Sequence, residues 1–490
     1  MLSLILLVPL VYAVNVTHYA PRSTNINNLT YVLNGTTNAP GIFNTSTTPD
    51  SEYGTYNWCN MPHVRVREYI TPSSKYTLEY VEVIQRHHKR TPYASNTFFK
   101  EDVEWSCDAS GPVYYGQSTT GPAVSEIQWQ ASSNPTNPWT NSVGPGFVGS
   151  TCQFPQITTE GLLDSFTHGT DLRRVYASRL GLTSDFHTSP AQIRVTNNVI
   201  TSQVAGGLVK GLFPDTTDAQ VLIERSGIDS LEPSLSCTNA VKPGTGDKGA
   251  GDGGVWQGHL AAAQSLYNKL DSVSGIASDD SAGWHVSFDH YYDNLSAKQC
   301  HGKALPCSLN ETDTCVIQEE ANEVYRLGNW EYSYMFRDSP NSTKFSTLTY
   351  GAWLLELKDH LQTAMGGSKR TKYFHNIAHD GSMSSLLGFL QVAEMVWPGM
   401  GSEIIFELYR DAEGAYFLRV LWGGQPMETS TPLGTLDMIP AQTLVDYIDE
   451  MVGSGKELYA ALQELDMPTP RDGPPPNLFL KFLDFIGETA

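Results

Sequence analysis

Residues 76–92, "YTLEYVEVIQRHHKRTP", constrain the fold more than any other stretch of this chain. Apolar and polar positions alternate around Val81 and Val83, which predicts a strand over 76–85. Directly after it stand three cations, Arg86, Lys89 and Arg90, and two imidazoles, His87 and His88. Charge at that density cannot be carried into an apolar interior without partners. The strand is therefore expected to end at the carboxyl edge of an open α/β sheet, where such sheets gather ligands. Two guanidiniums there would offer planar donor forks to a tetrahedral oxyanion, with phosphate as the natural guest. His87, between them, would be kept neutral by its cationic neighbours and so be available to attack phosphorus. Lys89 is expected to point to solvent.

The rest of the chain alternates strands with helices. Apolar residues recur at helical spacing through Leu162, Leu163, Phe166, Leu172, Val175 and Tyr176, so 157–180 reads as a helix, with Gly169 structural. "QIRVTNNVI" (192–200) reads as a second strand, followed by a helical "SQVAGGLVKGL". "YGAWLLELKDHLQTAM" (350–365) is an amphipathic helix with Trp353, Leu354 and Leu357 in the core. "KYFHNIAHD" (372–380) is a short buried strand, and 382–396 a helix capped by Ser382 or Asp380. Residues 402–424 form a hairpin around Asp411–Gly414. This order predicts an α/β three-layer sandwich with a central mixed sheet, plus a mainly helical inserted cap domain. The expected boundaries are a signal peptide at 1–13, an N-terminal extension at 14–75 that wraps the core, a discontinuous core at 76–205 and 345–490, and the cap at 206–344. The segment 477–490 reads as a docked tail.

Charge and export signals narrow the function. The formal net charge is −21, which argues against general nucleic-acid binding. The apolar start, ending in Val11-Tyr12-Ala13, reads as a secretory leader too short to span a bilayer. Asn-X-Ser/Thr occurs at Asn15, Asn28, Asn34, Asn44, Asn294, Asn310 and Asn341, as in a secreted glycoprotein. Seven cysteines in an oxidising compartment suggest up to three disulfides and one odd thiol, with one local bridge among Cys300, Cys307 and Cys315.

A second chemical feature is His379-Asp380, which also ends a strand and opens a helix. The helix start favours an anion. His379 would donate to a phosphoryl oxygen and Asp380 would protonate a leaving alkoxide. His375 and His379 are four apart, a metal spacing on a helix, but the segment reads as strand and no Glu follows His375. His375 is expected to be a core imidazole, and His168 and His187 structural.

With both motifs in view, the sequence resembles the histidine acid phosphatases, a branch of the phosphoglycerate-mutase-like superfamily. "RHHKRTP" (86–92) is similar to that family's Arg-His-Gly-X-Arg-X-Pro signature. "ITTEGLLDSFTHGTDLRRVY" resembles its Leu-Thr-X-X-Gly helix, "IRVTNN" its Arg-Ser-Thr-Asp stretch, "AHDGSM" its His-Asp loop, and "SEIIFELYRD…FLRVLW" its closing hairpin. The resemblance covers about 76 to 424. It implies a nucleophilic His87, phosphate-binding Arg86, Arg90 and His379, and Asp380 as proton donor. The substrate would be a small phosphate monoester, with no cofactor and no metal, because arginines and imidazoles neutralise the transferring group.

Two departures qualify what is implied. His88 stands where the family has glycine. Ile200 stands six residues after Arg194, where the family carries a further phosphate-binding arginine. Losing one such contact typically costs ~2–4 kcal/mol of transition-state stabilisation. Arg194 or His88 is expected to fill the gap. The rival reading is a weak or inactive relative that binds phosphorylated or anionic ligands. A broad phosphomonoesterase is the expected activity, with the insertion shaping the substrate entrance and its acidic Gly/Asp loop (242–254) disfavouring a highly anionic inositol phosphate.

Overall fold

The protein is described by a computed structural model covering residues 16–35, 53–98, 101–108, 113–114, 127–217, 219–233, 254–311, 313–367 and 371–463. The leader, Asn15, Asn44, Cys237, the 242–254 loop and the C-terminal tail lie outside the described residues.

Eight strands make the central sheet: β1 (Tyr76–Arg86), β2 (Ala191–Val195), β3 (Leu222–Ile223), β4 (Tyr373–Ala378), β5 (Glu403–Asp411), β6 (Tyr416–Trp422), β7 (Gln425–Pro426) and β8 (Ile439–Pro440). The spatial order is β8-β6-β5-β1-β4-β2-β3, with β7 on β6. β1, β4, β2 and β3 pair in parallel, whereas β5 and the strands beyond it are antiparallel. The sheet is mixed, as expected.

Helices cover both faces. On one side lie α1 (Thr159–Leu180) and α2 (Val199–Leu212). Their Leu172, Val175, Val204 and Leu208 share a buried cluster with Val81, Val83, Ile193 and Ile377. Gly169 lets the two helices approach: a Cβ there would lie 2.3 Å from the Leu208 carbonyl oxygen. Between α2 and the next core helix come α3 (Val255–Ala262), α4 (Gln264–Ser274), α5 (Asp289–Cys300) and α6 (Gln318–Ser333). The opposite face of the sheet is covered by α7 (Ser342–Met365), α8 (Asp380–Phe389) and α9 (Ala441–Val452). Trp353, Leu354 and Leu357 are buried there with Tyr80, Ile84 and Phe406. Alternate β1 residues thus feed two different cores, as the pleat requires. Helices α3 to α6 share the second of these cores through Trp256, Tyr267, Tyr291 and Tyr325.

Several expected boundaries move. Position 206 falls inside α2, and β3 still belongs to the central sheet, so the helical insertion leaves the core after Ile223. Its far end, expected at 344, falls inside α7, which starts at Ser342. The strand expected over 192–200 stops at Val195, because the Asn198 side chain accepts from the Ile200 N–H and caps α2. The helix expected over 382–396 starts at Asp380 and ends at Phe389, just before Gln391 takes φ +50°.

The described parts of the N-terminal extension wrap the core. Arg22 N–H donates to the Ala393 carbonyl and Arg326 Nε to that of Val32. Cys59 is joined to Cys300 on α5, Cys107 to Cys152, and Cys307 to Cys315. Of the five described sequon asparagines, Asn28, Asn34, Asn310 and Asn341 are exposed. Asn294 is not: it is fully buried on α5 and its amide donates to Glu101, so it cannot carry a glycan in the folded chain. Among the described residues no helix is long and apolar enough to cross a membrane.

Candidate active site

Three parallel strands end side by side. β1 delivers Arg86 and then His87, β4 delivers His379 and Asp380, and β2 delivers Thr196. Arg86 is in register with Ala378, and the His87 N–H donates to the Ala378 carbonyl at 3.1 Å. The sheet therefore fixes the two motifs against each other although almost three hundred residues separate them. They line one cavity of about 400 Å³.

Within it the rings of His87 and His379 are 5.6 Å apart between centroids. His87 Nδ1 lies 2.9 Å from its neighbour's carbonyl oxygen, on His88. A carbonyl can only accept, so Nδ1 carries the proton and Nε2 keeps its lone pair. Burial pushes the His87 pKa well below the usual imidazole value, and Arg86, Arg90 and His379 push it further. His87 is thus neutral in mild acid.

Each guanidinium is held by a carboxylate. Arg86 lies 3.1 Å from Asp380, stacks 4.6 Å over the Trp58 ring and donates to the Pro398 carbonyl. Arg90 lies 3.0 Å from Asp293 on α5, whose second oxygen accepts from the Tyr93 N–H and from Asn96. The Nε of both arginines has no acceptor among the described residues. Asp380 also accepts from the Trp397 indole at 2.8 Å. Burial alone would raise its pKa, but Arg86, the Trp397 N–H and His379 outweigh it and hold the carboxyl below the usual carboxylate range. His379 Nε2 meets Thr196 Oγ1 at 2.9 Å and Glu232 at 3.3 Å.

Arg86, His87, Arg90, His379 and Asp380 therefore converge. Arg194 and His88 do not. Arg194 turns away from the cavity into a carboxylate cage: Asp229 at 2.7 Å, with Glu224 and Glu356 at 2.8 Å. Its two terminal nitrogens are taken up by four oxygens, Ser230 Oγ among them, and it does not line the cavity, so the expectation that it fills the gap left by Ile200 is overturned. Ile200 is itself fully buried in the apolar cluster under α2. His88 is also fully buried and lies off the cavity. Its Nε2 meets Gln85 at 3.0 Å and His168 at 3.2 Å. Gly401, at φ +70°, makes room for it: a Cβ at 401 would be 2.4 Å from the imidazole. Lys89 is not solvated either. It is buried, 3.3 Å from both Glu160 and Asp164 on α1. Among the described residues no group of three or more His, Cys, Asp or Glu is placed to hold a metal ion.

Three residues at the site, Glu232, Asp293 and Trp397, had no signal in the sequence read alone; they come from separate loops and from the insertion, and only the fold brings them to the two motifs. Thr196 lies within the "IRVTNN" stretch, where no role was expected of it.

Behind β1 lies a buried polar network. His88 joins His168, which pairs with Glu403 at 2.8 Å and stacks 4.1 Å from His63. His375 bonds Gln85 and the Tyr373 hydroxyl, the core role expected of it. Burial pushes Glu403 up to about 7 and His168 down to about 4.

A mixed sheet covered by helices on both faces, with a histidine-centred pocket at the carboxyl edge of its parallel strands, is an α/β sandwich. No family model matches the chain. Human 2-phosphoxylose phosphatase 1 is 22% identical over 325 residues, 63% of this chain and 66% of that protein. Bovine lysophosphatidic acid phosphatase type 6 is 23% identical over 368 residues, 71% of this chain and 78% of that protein. Among solved structures, apo Hafnia alvei phytase aligns with a TM-score of 0.47 at 14% identity, over 79% of this chain and 99% of that one. The phytase from D. castellii aligns with a TM-score of 0.44 at 14% identity, over 88% and 87%. Both relatives are named as phosphatases, in keeping with the resemblance to the histidine acid phosphatases that the two motifs carry.

Two outcomes test the site's surroundings. Arg194→Met leaves Asp229, a buried carboxylate, without its cation, and is expected to cost about 3–5 kcal/mol of stability in chemical unfolding. Its KM for p-nitrophenyl phosphate should move by less than about tenfold, whereas Arg90→Met should raise KM by more. The Glu403–His168 pair sets a pH dependence. Glu403 has a raised pKa, so its contribution is full below about 4.5 and is lost as pH rises through about 7. His168 has a depressed pKa, so its contribution is present above 6.5 and lost as pH falls through about 4. Glu403→Gln keeps a donor but cannot ionise and leaves the His168 contribution in place. Between about pH 5.5 and 7 the wild type sheds ~1.5 pH units of Glu403 stabilisation, so by about pH 8 it should lose ~2 kcal/mol relative to the variant in paired denaturant titrations.

Proposed function

We propose that the chain hydrolyses phosphate monoesters through a phosphohistidine. The observation that carries this reading is His87 Nε2, with its lone pair free, in one cavity with two guanidiniums and Asp380. In the first step Nε2 attacks phosphorus, the P–N bond forms, and the ester P–O bond breaks. Asp380 gives its proton to the departing alkoxide. In the second, water attacks phosphorus, its proton passes to Asp380, and the P–N bond breaks to release phosphate. Arg86, Arg90 and His379 hold the equatorial oxygens as charge develops.

Asp380 must be protonated for the first step, yet it rests as a carboxylate. A bound phosphate draws Arg86 away from it and sets negative charge beside it. Both changes raise its pKa. Substrate itself thus arms the acid, which suits turnover in mildly acid surroundings. Three disulfides agree with an extracellular or lumenal site of action, and the leader-like start and exposed sequons support secretion.

Ile200 favours a second reading, an anion-binding relative with little or no turnover, since isoleucine offers no donor where the family has arginine. Rapid alkaline-quench trapping decides between them. Wild type with radiolabelled ester should yield an acid-labile, base-stable phosphoprotein. His87→Ala should yield none and lose at least ~10³-fold in kcat. Phosphate binding without a trapped intermediate or turnover would favour the anion-binding relative. Asp380→Asn should slow alkyl phosphates far more than p-nitrophenyl phosphate, because a nitrophenolate leaves without a proton.

A further inference from the structure

Among the described residues, the cavity lining carries more negative than positive groups. Its lining includes two guanidiniums, Arg86 and Arg90, and four carboxylates, Glu232, Asp289, Asp293 and Asp380. Asp380 and Asp293 are already committed to the arginines. Glu232 and Asp289 face imidazoles instead, His379 at 3.3 Å and His290 at 2.7 Å, and their side chains are 45% and 46% exposed at the wall. The family's further cation is absent, since Ile200 is buried in the apolar cluster. One phosphate is therefore as much anion as the arginines can balance. Whatever the leaving group carries meets carboxylates.

Glu232 is placed, not loose. Leu231, just before it, is fully buried, and its carbonyl accepts from Ser382 Oγ at 2.7 Å and from the Tyr350 hydroxyl at 3.3 Å. Asp229 and Ser230 are clamped by Arg194. The Arg194 cage thus holds the loop that presents Glu232 beside His379. The same cavity has aromatic walls, with Tyr332 stacked 3.8 Å on Trp397 and Phe345 nearby. Aromatic faces next to carboxylates attract ammonium groups.

Building on the phosphatase reading, we propose that the preferred substrates are phosphate monoesters of amino or quaternary-ammonium alcohols, and that Glu232 is the residue that selects them over esters bearing a second anion. O-Phosphoethanolamine and phosphoglycolate are a matched pair: nearly the same size, with one positive or one negative group at the far end. Wild type at about pH 5.5 should favour phosphoethanolamine by roughly tenfold or more in kcat/KM. Glu232→Gln should shrink that ratio by roughly five- to tenfold, whatever it does to overall rate through His379, and Asp289→Asn should shrink it less. A ratio near one in wild type, a preference for phosphoglycolate, or a ratio unmoved by Glu232→Gln would overturn the assignment. If neither ester is turned over and no phosphoenzyme is trapped, the phosphatase reading has failed. Calorimetric binding of the two compounds to wild type and Glu232→Gln then reads the same preference, with the same outcomes for and against.

Discussion

Parallel pairing of β1 with β4 is the constraint on which the rest of the structure depends. Neither motif is a site by itself. Arg86–Arg90 without a partner strand is a run of charge, and His379-Asp380 is a helix start. The ladder places Arg86 opposite Ala378, so the residues that follow each strand leave the sheet at the same edge and at the same height. A one-residue slip would turn every side chain of β1 to the other face, sending Val81 and Val83 out of their cluster with α1 and α2. Burial on both faces makes that slip costly, so the two cores that stabilise the sheet also set the geometry of the pocket. β2 adds the third strand end and with it Thr196, which orients His379.

Electrostatic pairing then decides what the pocket is at rest. Two buried guanidiniums in an apolar setting would be costly alone. Asp380 holds one from within the core and Asp293 holds the other from the helical insertion. The insertion is therefore part of the site, not a cover over it. The two pairings differ in consequence. Asp293 is tied by the Tyr93 N–H and Asn96 as well as by Arg90, so it is a fixed brace. On the proposed mechanism Asp380 would share Arg86 with the arriving anion, so its proton affinity would depend on occupancy. It would then hold its proton only when substrate is there to take it.

Much of this was legible in the sequence, and the parts that were not share a physical reason. The strand at 76–85, the helix at 157–180, the hairpin at 402–424 and the residues Arg86, His87, Arg90, His379 and Asp380 all follow from local pattern, because their burial is periodic and their motif is contiguous. What local pattern cannot report is which way a charged side chain turns after the strand ends. Lys89 looked solvated and is buried against α1. Arg194 looked like a phosphate ligand and is caged by acids thirty and more residues away in sequence. Asn294 carries a glycosylation triplet that helix packing closes off. Glu232 and Asp293 reach the pocket through an insertion whose path no periodicity reveals.

His88 shows how such a departure is accommodated. A glycine there would let backbone pass closely; an imidazole needs volume and a hydrogen-bond partner. The volume comes from Gly401, whose missing side chain leaves the space the ring occupies. The partners come from Gln85 and His168, and through His168 from Glu403. The substitution is thus not a local exchange but one end of a polar network that reaches to β5. Because Gly401 N–H also donates to the His87 carbonyl, the same contact that makes room for His88 helps hold the backbone of the residue beside it. Packing at position 88 and the aim of His87 are therefore coupled through a single strand end, and a change that relaxes the network is a change in where the His87 ring points.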